Sequence, residues 1–208
     1  MNAHKGVSHA RAAPATGVAL VLLLGNVAAA LHAPAPPALR HNADGPPLGH
    51  TGGFGEPTCQ ACHADAQLNV PGGVLGVDGM PGAYEPGGRY RITIVFVSEG
   101  MTRAGFQAAF RFANGETQGK QAGRIEPIDT RVTVSASAAP AVEYVHHSAS
   151  GTELAEPELA SWSFVWTAPN AGDPVMIHVA ANSANGDNSP LGDLVYTAEA
   201  RSRAAGGR

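Results

Sequence analysis

The sequence has few charged residues, few aromatic residues and no basic run. Asp, Glu, Lys and Arg make up 14% of its 208 residues, against about 25% in an ordinary soluble domain. The formal net charge is −4, so no excess of positive charge is available to displace counterions from nucleic acid, and we expect no nucleic-acid partner. Aromatics make up only 6%, while glycine (26) and proline (16) are frequent. Because both disfavour helix interiors, the composition excludes a helical bundle.

The chain has one long apolar stretch, and it lies near the N-terminus. Residues 1–16 carry Lys5 and Arg11 but no acid, residues 17–27 are largely apolar, and residues 28–30 are three alanines. The stretch is shorter than the ~20 residues of a membrane-spanning helix. We therefore predict a signal peptide over residues 1–30 and an exported protein, periplasmic or extracellular, that is soluble once the signal is removed, with no permanent membrane span. Retention of the signal as an anchor is the alternative.

Composition divides the remaining chain into four segments. Residues 31–50 are rich in proline and glycine without hydrophobic periodicity, which predicts an extended linker. Residues 51–80 contain both cysteines and form the second segment. Short alternating runs fill residues 81–199, and residues 200–208 are small, polar and basic, which predicts a flexible tail.

Apolar and polar residues alternate in seven short runs, which predict strands. These runs are residues 90–96, 106–112, 132–134, 142–146, 162–166, 175–179 and 194–196. Gly, Pro, Asn and Asp separate them, so we predict an all-β fold, an immunoglobulin-like β-sandwich of about seven strands preceded by an irregular segment. Trp162, Phe164 and Trp166 share one face of a run, and we interpret them as core because aromatics supply the large apolar area between two sheets.

One short motif carries chemistry. The residues Cys59-Gln60-Ala61-Cys62-His63 form the C-x-x-C-H pattern, and these two cysteines are the only ones in the sequence. Each thiol can add to one haem vinyl group, and the histidine beside the second cysteine is then placed to become the proximal iron ligand. The motif predicts one covalent haem c, attached through Cys59 and Cys62 and ligated by His63.

Two other uses of the cysteines remain open at this point. In an exported chain, a C-x-x-C pair can close a small disulfide. It can also join two further ligands around zinc, although the other histidines show no helical i, i+4 pairing that would supply them.

The order of several segments along the chain resembles a known family. The segments are residues 51–59 running into Cys62-His63, then 84–90, 105–107, 145–148, 162–169, 181–187 and 192–196. In this order they are similar to the bacterial Reeler-like proteins called choice-of-anchor V domain proteins, from about Thr51 to Thr197. The resemblance implies a Reeler-type β-sandwich over residues 81–199 behind an N-terminal c-type haem segment.

The haem motif determines the expected function. The sequence shows no nucleophile elbow, phosphate-binding loop or dinucleotide fingerprint, so we expect no independent enzyme activity. A covalent haem without catalytic groups favours an electron carrier or relay that works with a redox partner protein. The alternative is a non-enzymatic surface interaction module in which the cysteines form a structural disulfide.

The second axial ligand of the iron is the open question at the predicted site. Histidine and methionine side chains can both complete the coordination of a low-spin iron. The candidates are His50, His146, His147, His178, Met80 and Met101. We favour His147, because a strand is a more precise scaffold than the glycine-rich loop around His50; a structural hydrogen-bonding role for His147 is the competing interpretation. His178 alternates with core residues, which predicts a solvated surface position.

Overall fold

The computed structural model describes residues 42–170 and 172–206. The predicted signal peptide, residues 1–30, and the first part of the predicted linker lie outside these residues. Within the described ranges the chain forms ten strands and two short 3₁₀ helices. The strands are β1 (Gly73–Asp78), β2 (Ala83–Tyr84), β3 (Arg89–Ser98), β4 (Arg103–Phe112), β5 (Arg124–Pro127), β6 (Val132–Ala136), β7 (Glu143–His147), β8 (Leu159–Thr167), β9 (Val175–Ala184) and β10 (Leu194–Ala204), and the 3₁₀ helices are Cys59–Ala61 and Ser150–Thr152.

The strands form two sheets packed as a β-sandwich, which confirms the predicted fold class. The four-stranded sheet has the order β1-β3-β8-β5, and the six-stranded sheet has the order β2-β10-β9-β4-β7-β6. Neighbouring strands are antiparallel except for the short parallel pairing of β2 with β10. Each strand of an antiparallel sandwich presents alternate side chains to the core, so the alternation in the sequence maps onto the two inner faces.

Aromatic side chains from both sheets meet at the centre of the sandwich. Trp162 of β8 stacks on Phe106 of β4 with ring centroids 4.4 Å apart, and Trp166 stacks on Phe110 at 4.8 Å. Both indole N–H groups donate to backbone carbonyls, at 2.8 and 2.9 Å. The prediction that the aromatic face of β8 belongs to the core is confirmed, since all four rings are almost completely buried.

The structure has more strands in the described residues than the seven that alternation indicated. The seven predicted runs correspond to β3, β4, β6, β7, β8, β9 and β10. The additional strands are β1, β2 and β5: β1 contains two glycines, β2 has two residues and β5 ends in a proline. Such short or interrupted strands give little periodic signal because few side chains repeat on one face.

Strands in the structure extend into two of the predicted segments outside residues 81–199. Residues 200–208 were expected to form a flexible tail, but β10 continues to Ala204 and pairs there with β2. Ser202 and Ala204 are buried, so small side chains that looked like a tail in fact pack at the end of the sandwich. The predicted haem segment, residues 51–80, contains β1, which belongs to the four-stranded sheet. No helix in the described residues is long and apolar enough to cross a membrane.

Candidate functional site

Residues 42–58, here called the cover segment, lie against the outer face of the six-stranded sheet. Gly53 contacts the ring of His178, and Gly45 contacts the ring of His146. A Cβ atom at Gly53 would come within 2.4 Å of the His178 ring, and one at Gly45 would come within 2.5 Å of the His146 ring. Only a residue without a side chain permits such an approach. His178 is therefore half-buried rather than solvated as predicted, and burial lowers its pKa.

A buried ion pair holds the far end of the cover segment. Glu56 pairs with Arg111, which lies on the outer face of β4. The Glu56 carboxylate also accepts hydrogen bonds from the hydroxyls of Thr51 and Tyr144, both at 2.5 Å. Burial opposes ionisation of Glu56, but these hydrogen bonds and the Arg111 charge outweigh it and lower the pKa of Glu56. Burial, together with the hydrogen bond to Glu56, raises the pKa of Tyr144 to about 12.

After the cover segment, the chain turns through the C-x-x-C-H motif. The 3₁₀ helix Cys59–Ala61 begins where the Thr58 hydroxyl accepts a hydrogen bond from Gln60 N–H at 3.2 Å. The Cys59 carbonyl then accepts from both Cys62 N–H, at 3.1 Å, and His63 N–H, at 3.0 Å. Residues three apart stand on the same side of a 3₁₀ helix. The turn therefore brings the two cysteines to one side, with His63 directly after them.

Both cysteines are free thiols in the structure. Cys62 is exposed. Cys59 is partly exposed as a residue, yet burial of its thiol raises the pKa of Cys59 to about 12. The Cys59 thiol is therefore protonated at neutral pH in the folded chain without a cofactor.

His63 lies against a buried carboxylate from the other end of the sequence. The His63 Nδ1 atom is 2.7 Å from Asp193 Oδ2, a close contact without hydrogen-bond geometry, and the Asp193 side chain is only 2% exposed. Asp193 is held in turn by Asn182 Nδ2 and by Asn185 N–H, each at 3.1 Å. Metal-ligating histidines commonly place one ring nitrogen against a carboxylate and use the other for the metal. This contact leaves Nε2 as the nitrogen of His63 for a metal.

A cavity of about 650 Å³ lies beside this turn. Its size is within the range of about 300–1,000 Å³ that is usual for ligand and cofactor sites. Its wall is formed by the cover segment, the turn of residues 59–63, strands β4, β7 and β9, and the loop after β9. The lining residues relevant to ligation and charge are His50, Cys59, Cys62, His63, Arg103, His147, Asn182 and Asp193. The structure thus brings the four predicted site residues, Cys59, Cys62, His63 and His147, to one cavity.

His147 is held by the backbone on both sides of its ring. Nδ1 accepts a hydrogen bond from Phe106 N–H at 3.0 Å, and Nε2 lies 3.1 Å from the carbonyl oxygen of Asn42. The ring also lies over Gly105, where a Cβ atom would approach it to 2.7 Å. Burial lowers the pKa of His147, although both backbone contacts oppose this effect. These contacts tie the His147 ring to the backbone of β4 and of the cover segment, which favours the structural interpretation of this histidine.

The remaining candidates for an iron ligand lie elsewhere. Met101 is part of the core between the sheets, and Met80 packs against that core. His146 hydrogen-bonds Ser135 at 3.1 Å, and His178 lies beneath the cover segment. Of the six candidates, the cavity wall includes only His50 and His147.

Two residues that sequence reasoning missed organise the site. Asp193 belongs to an Asn- and Asp-rich loop that reads locally as turn residues. Gln107 looks solvent-exposed from its position opposite core residues, but it is fully buried beneath the cover segment. The alternation of apolar residues along β9 does place Asn182, which donates to Asp193, on the outer face of the sheet. This is the one local sequence signal for this part of the site.

The described residues contain no group of three or more His, Cys, Asp or Glu side chains placed to hold a metal ion. A haem iron does not need such a group, because the porphyrin supplies four ligands and the protein one or two. Two features of the structure bear on whether a haem fits here. The cavity has two thiols and His63 in its wall, and the buried Nδ1 atom of His63 lacks a hydrogen-bond partner.

No model of a known protein family matches the chain, and no curated protein matches it. Among solved structures, the chain is similar to the Reelin-N domain of F-spondin, with 18% identity and a TM-score of 0.46 over 70% of this chain and 96% of that one. It is also similar to the human F-spondin reeler domain, with 21% identity and a TM-score of 0.42 over 66% and 93%. A cohesin module from Clostridium perfringens shows 12% identity and a TM-score of 0.45 over 65% and 98%.

Proposed function

We propose that this chain is an exported monohaem c-type cytochrome-like protein that carries or relays electrons. The observation that carries the proposal is the shared cavity: Cys59, Cys62 and His63 line it together with His50 and His147. A cofactor attached through both thiols would therefore lie within reach of histidine on more than one element of the fold. Because haem held by thioethers stays attached in both oxidation states, the arrangement suits electron transfer.

Attachment requires no oxidant or reductant. Cys59 and Cys62 would each add their S–H across the double bond of one vinyl group of the haem. Each sulfur would form a thioether bond to one vinyl carbon, and the hydrogen would end on the other carbon. Since both thiols are free in the structure, neither has to be released from a disulfide first.

The protein groups around the cavity have distinct roles in this proposal. His63 would bind the iron through Nε2, while the buried Asp193 carboxylate lies 2.7 Å from Nδ1 on the opposite side of the ring. Arg103 lines the same cavity and donates to the Thr152 hydroxyl at 3.2 Å. Its guanidinium supplies a positive charge for the carboxylates of a haem, with which arginine forms strong hydrogen bonds. When bound, haem iron supplies a one-electron change between its ferric and ferrous states.

We also propose that the chain belongs to the Reeler-like choice-of-anchor V group. The support is the order of sequence segments around the cysteine motif and through the sandwich. Export through the predicted signal peptide fits covalent haem attachment, which takes place outside the cytoplasm, where the redox partner would also be located.

The experiment that tests the function is expression of the full chain in cells with haem-attachment machinery. We expect one haem per chain that survives denaturation and acid extraction and that is reduced and reoxidised reversibly in an electrochemical cell. Cys59→Ala and Cys62→Ala should reduce or abolish covalent haem, while far-ultraviolet circular dichroism retains the β signal, because neither cysteine belongs to a strand.

Gln60→Ala is the matched control, because it changes the same turn but keeps both cysteines and His63. It should retain the haem. A colourless, folded wild-type protein would overturn the proposal. Thiol titration and zinc analysis of that protein would then show whether the cysteines form a disulfide, as in the alternative of a surface interaction module, or bind zinc.

A further inference from the structure

We propose that His50, rather than His147, is the second axial ligand of the haem iron. This inference rests on the proposed function, since it assumes a haem in the cavity. It reverses the expectation drawn from the sequence, and it depends on how each imidazole is hydrogen-bonded. Both histidines line the cavity, so the ring that has a nitrogen lone pair available is the one that can bind the iron.

The ring of His147 has no free lone pair. A carbonyl oxygen only accepts, so the contact of Nε2 with Asn42 O at 3.1 Å places the proton on Nε2. The lone pair of the neutral ring is then on Nδ1, where it accepts from Phe106 N–H at 3.0 Å. Nδ1 also lies 3.2 Å from Phe106 O, so this nitrogen is enclosed by the backbone of β4. Whichever ring nitrogen bound the iron, His147 would lose the buried hydrogen bond that this nitrogen makes.

The ring of His50 has the opposite arrangement. Its Nδ1 lies 3.0 Å from Pro47 O and 3.3 Å from Leu48 O, and two acceptors place the proton on Nδ1. The lone pair is therefore on Nε2, for which the described residues provide no hydrogen-bond partner. A ligating histidine commonly donates one ring N–H to a backbone carbonyl and binds the metal through the other nitrogen. His50 has this form before any metal is bound.

The loop that carries His50 is fixed to a central strand. Gln107 of β4 is completely buried, and its Oε1 accepts from His50 N–H at 2.7 Å. The same amide donates from Nε2 to Pro47 O at 3.0 Å. Gln107 thus holds both ends of the turn from Pro47 to His50, so this loop is a more precise scaffold than its glycine content suggested.

The test compares His50→Ala with His147→Ala in the haem-loaded full chain by absorbance, near-infrared charge-transfer bands and electron paramagnetic resonance. We expect a low-spin wild-type protein, conversion of His50→Ala to high spin, and return of the low-spin spectrum when imidazole is added. His147→Ala should remain low-spin and lose thermal stability. His50→Met is a second variant that should show a thioether-to-iron charge-transfer band if His50→Ala does not accumulate.

The outcomes separate this inference from the proposed function. A low-spin His50→Ala protein, a high-spin His147→Ala protein or a five-coordinate wild-type protein would each overturn ligation by His50, while covalent haem in the same samples would leave the cytochrome proposal standing. Absence of covalent haem from the wild-type protein would overturn both.

Discussion

The sandwich core and the cover segment are stabilised by different interactions. Between the sheets, contacts are apolar and aromatic, as in the stacking of Trp166 on Phe110 with ring planes 7° apart. Outside the six-stranded sheet, the cover segment is held by one ion pair and by hydrogen bonds to polar side chains such as Gln107. Apolar burial is non-directional, whereas each polar contact depends on one donor and one acceptor.

Because of this difference, folding of the sandwich and the proposed function depend on different residues. The core repeats the same type of contact along the five long strands β3, β4, β8, β9 and β10, so no single polar group decides whether the sandwich forms. The site depends on a few contacts between distant parts of the chain, such as that between His63 and Asp193. We therefore expect core substitutions to affect global stability, and substitutions at the site to change ligation or the docking of the cover segment while the sandwich remains folded.

The largest expected effect is that of Trp166→Ala. Trp166 is fully buried between the sheets, and removing such a side chain destabilises a protein by about 3–5 kcal/mol through lost burial and a residual cavity. Urea unfolding followed by circular dichroism measures the change. The matched control is Val97→Ala on the outer face of β3, where the valine is 46% exposed. If both substitutions destabilise equally, the aromatic stack is not the main support of the fold.

A smaller but still substantial effect is expected for Glu56→Gln. This change leaves the buried Arg111 guanidinium without its charge partner, which costs about 3 kcal/mol at the lower end of the range for buried ion pairs. The cover segment should detach before the sandwich unfolds, which hydrogen exchange of residues 49–58 can detect. Glu126→Gln, which breaks the exposed pair with Arg89, should change unfolding very little. Equal effects of the two substitutions would contradict the anchoring role of Glu56.

The same carboxylate predicts an acid-dependent loss of stability. Because hydrogen bonds and the Arg111 charge lower the pKa of Glu56 in the folded chain, its contribution is fully present above the usual value of 4.5 and is lost as pH falls through the lower folded-state pKa. Glu56→Gln should therefore show a smaller fall in unfolding free energy below pH 4.5 than the wild-type chain. Parallel curves for the two proteins would show that other groups cause the acid dependence.

The smallest structural effect, and the clearest functional one, is expected for Asp193→Asn. The amide keeps an acceptor oxygen for Asn182 or Asn185 but removes the negative charge beside His63. In the haem-loaded protein that we propose, a buried negative charge favours ferric over ferrous haem, so its removal should make the reduction potential more positive. Asp65→Asn is the control, because Asp65 accepts from Gly192 N–H of the same loop without a contact to His63. The positioning role of Asp193 is wrong if the two variants have the same potential.

Sequence reasoning succeeded where the signal is local. The alternation in β3, β4, β8 and β9 follows directly from the two-residue repeat of a strand, and the spacing of Cys59, Cys62 and His63 is contained within one turn. The same alternation places Gln107 and Arg111 on the outer face of β4, but both side chains are buried there. Alternation distinguishes the two faces of a strand, but it carries no information about a distant segment that covers the outer face.

The sequence by itself determined the all-β class, the aromatic core and the placement of three candidate haem-binding residues in one turn, because each depends on neighbours within a few positions. Only the tertiary structure decided that Asp193 lies against His63 and that Gln107 holds the turn bearing His50. It also decided that the backbone engages both ring nitrogens of His147. These contacts join residues far apart in the chain, and they form only because the folding of the two sheets brings those residues together.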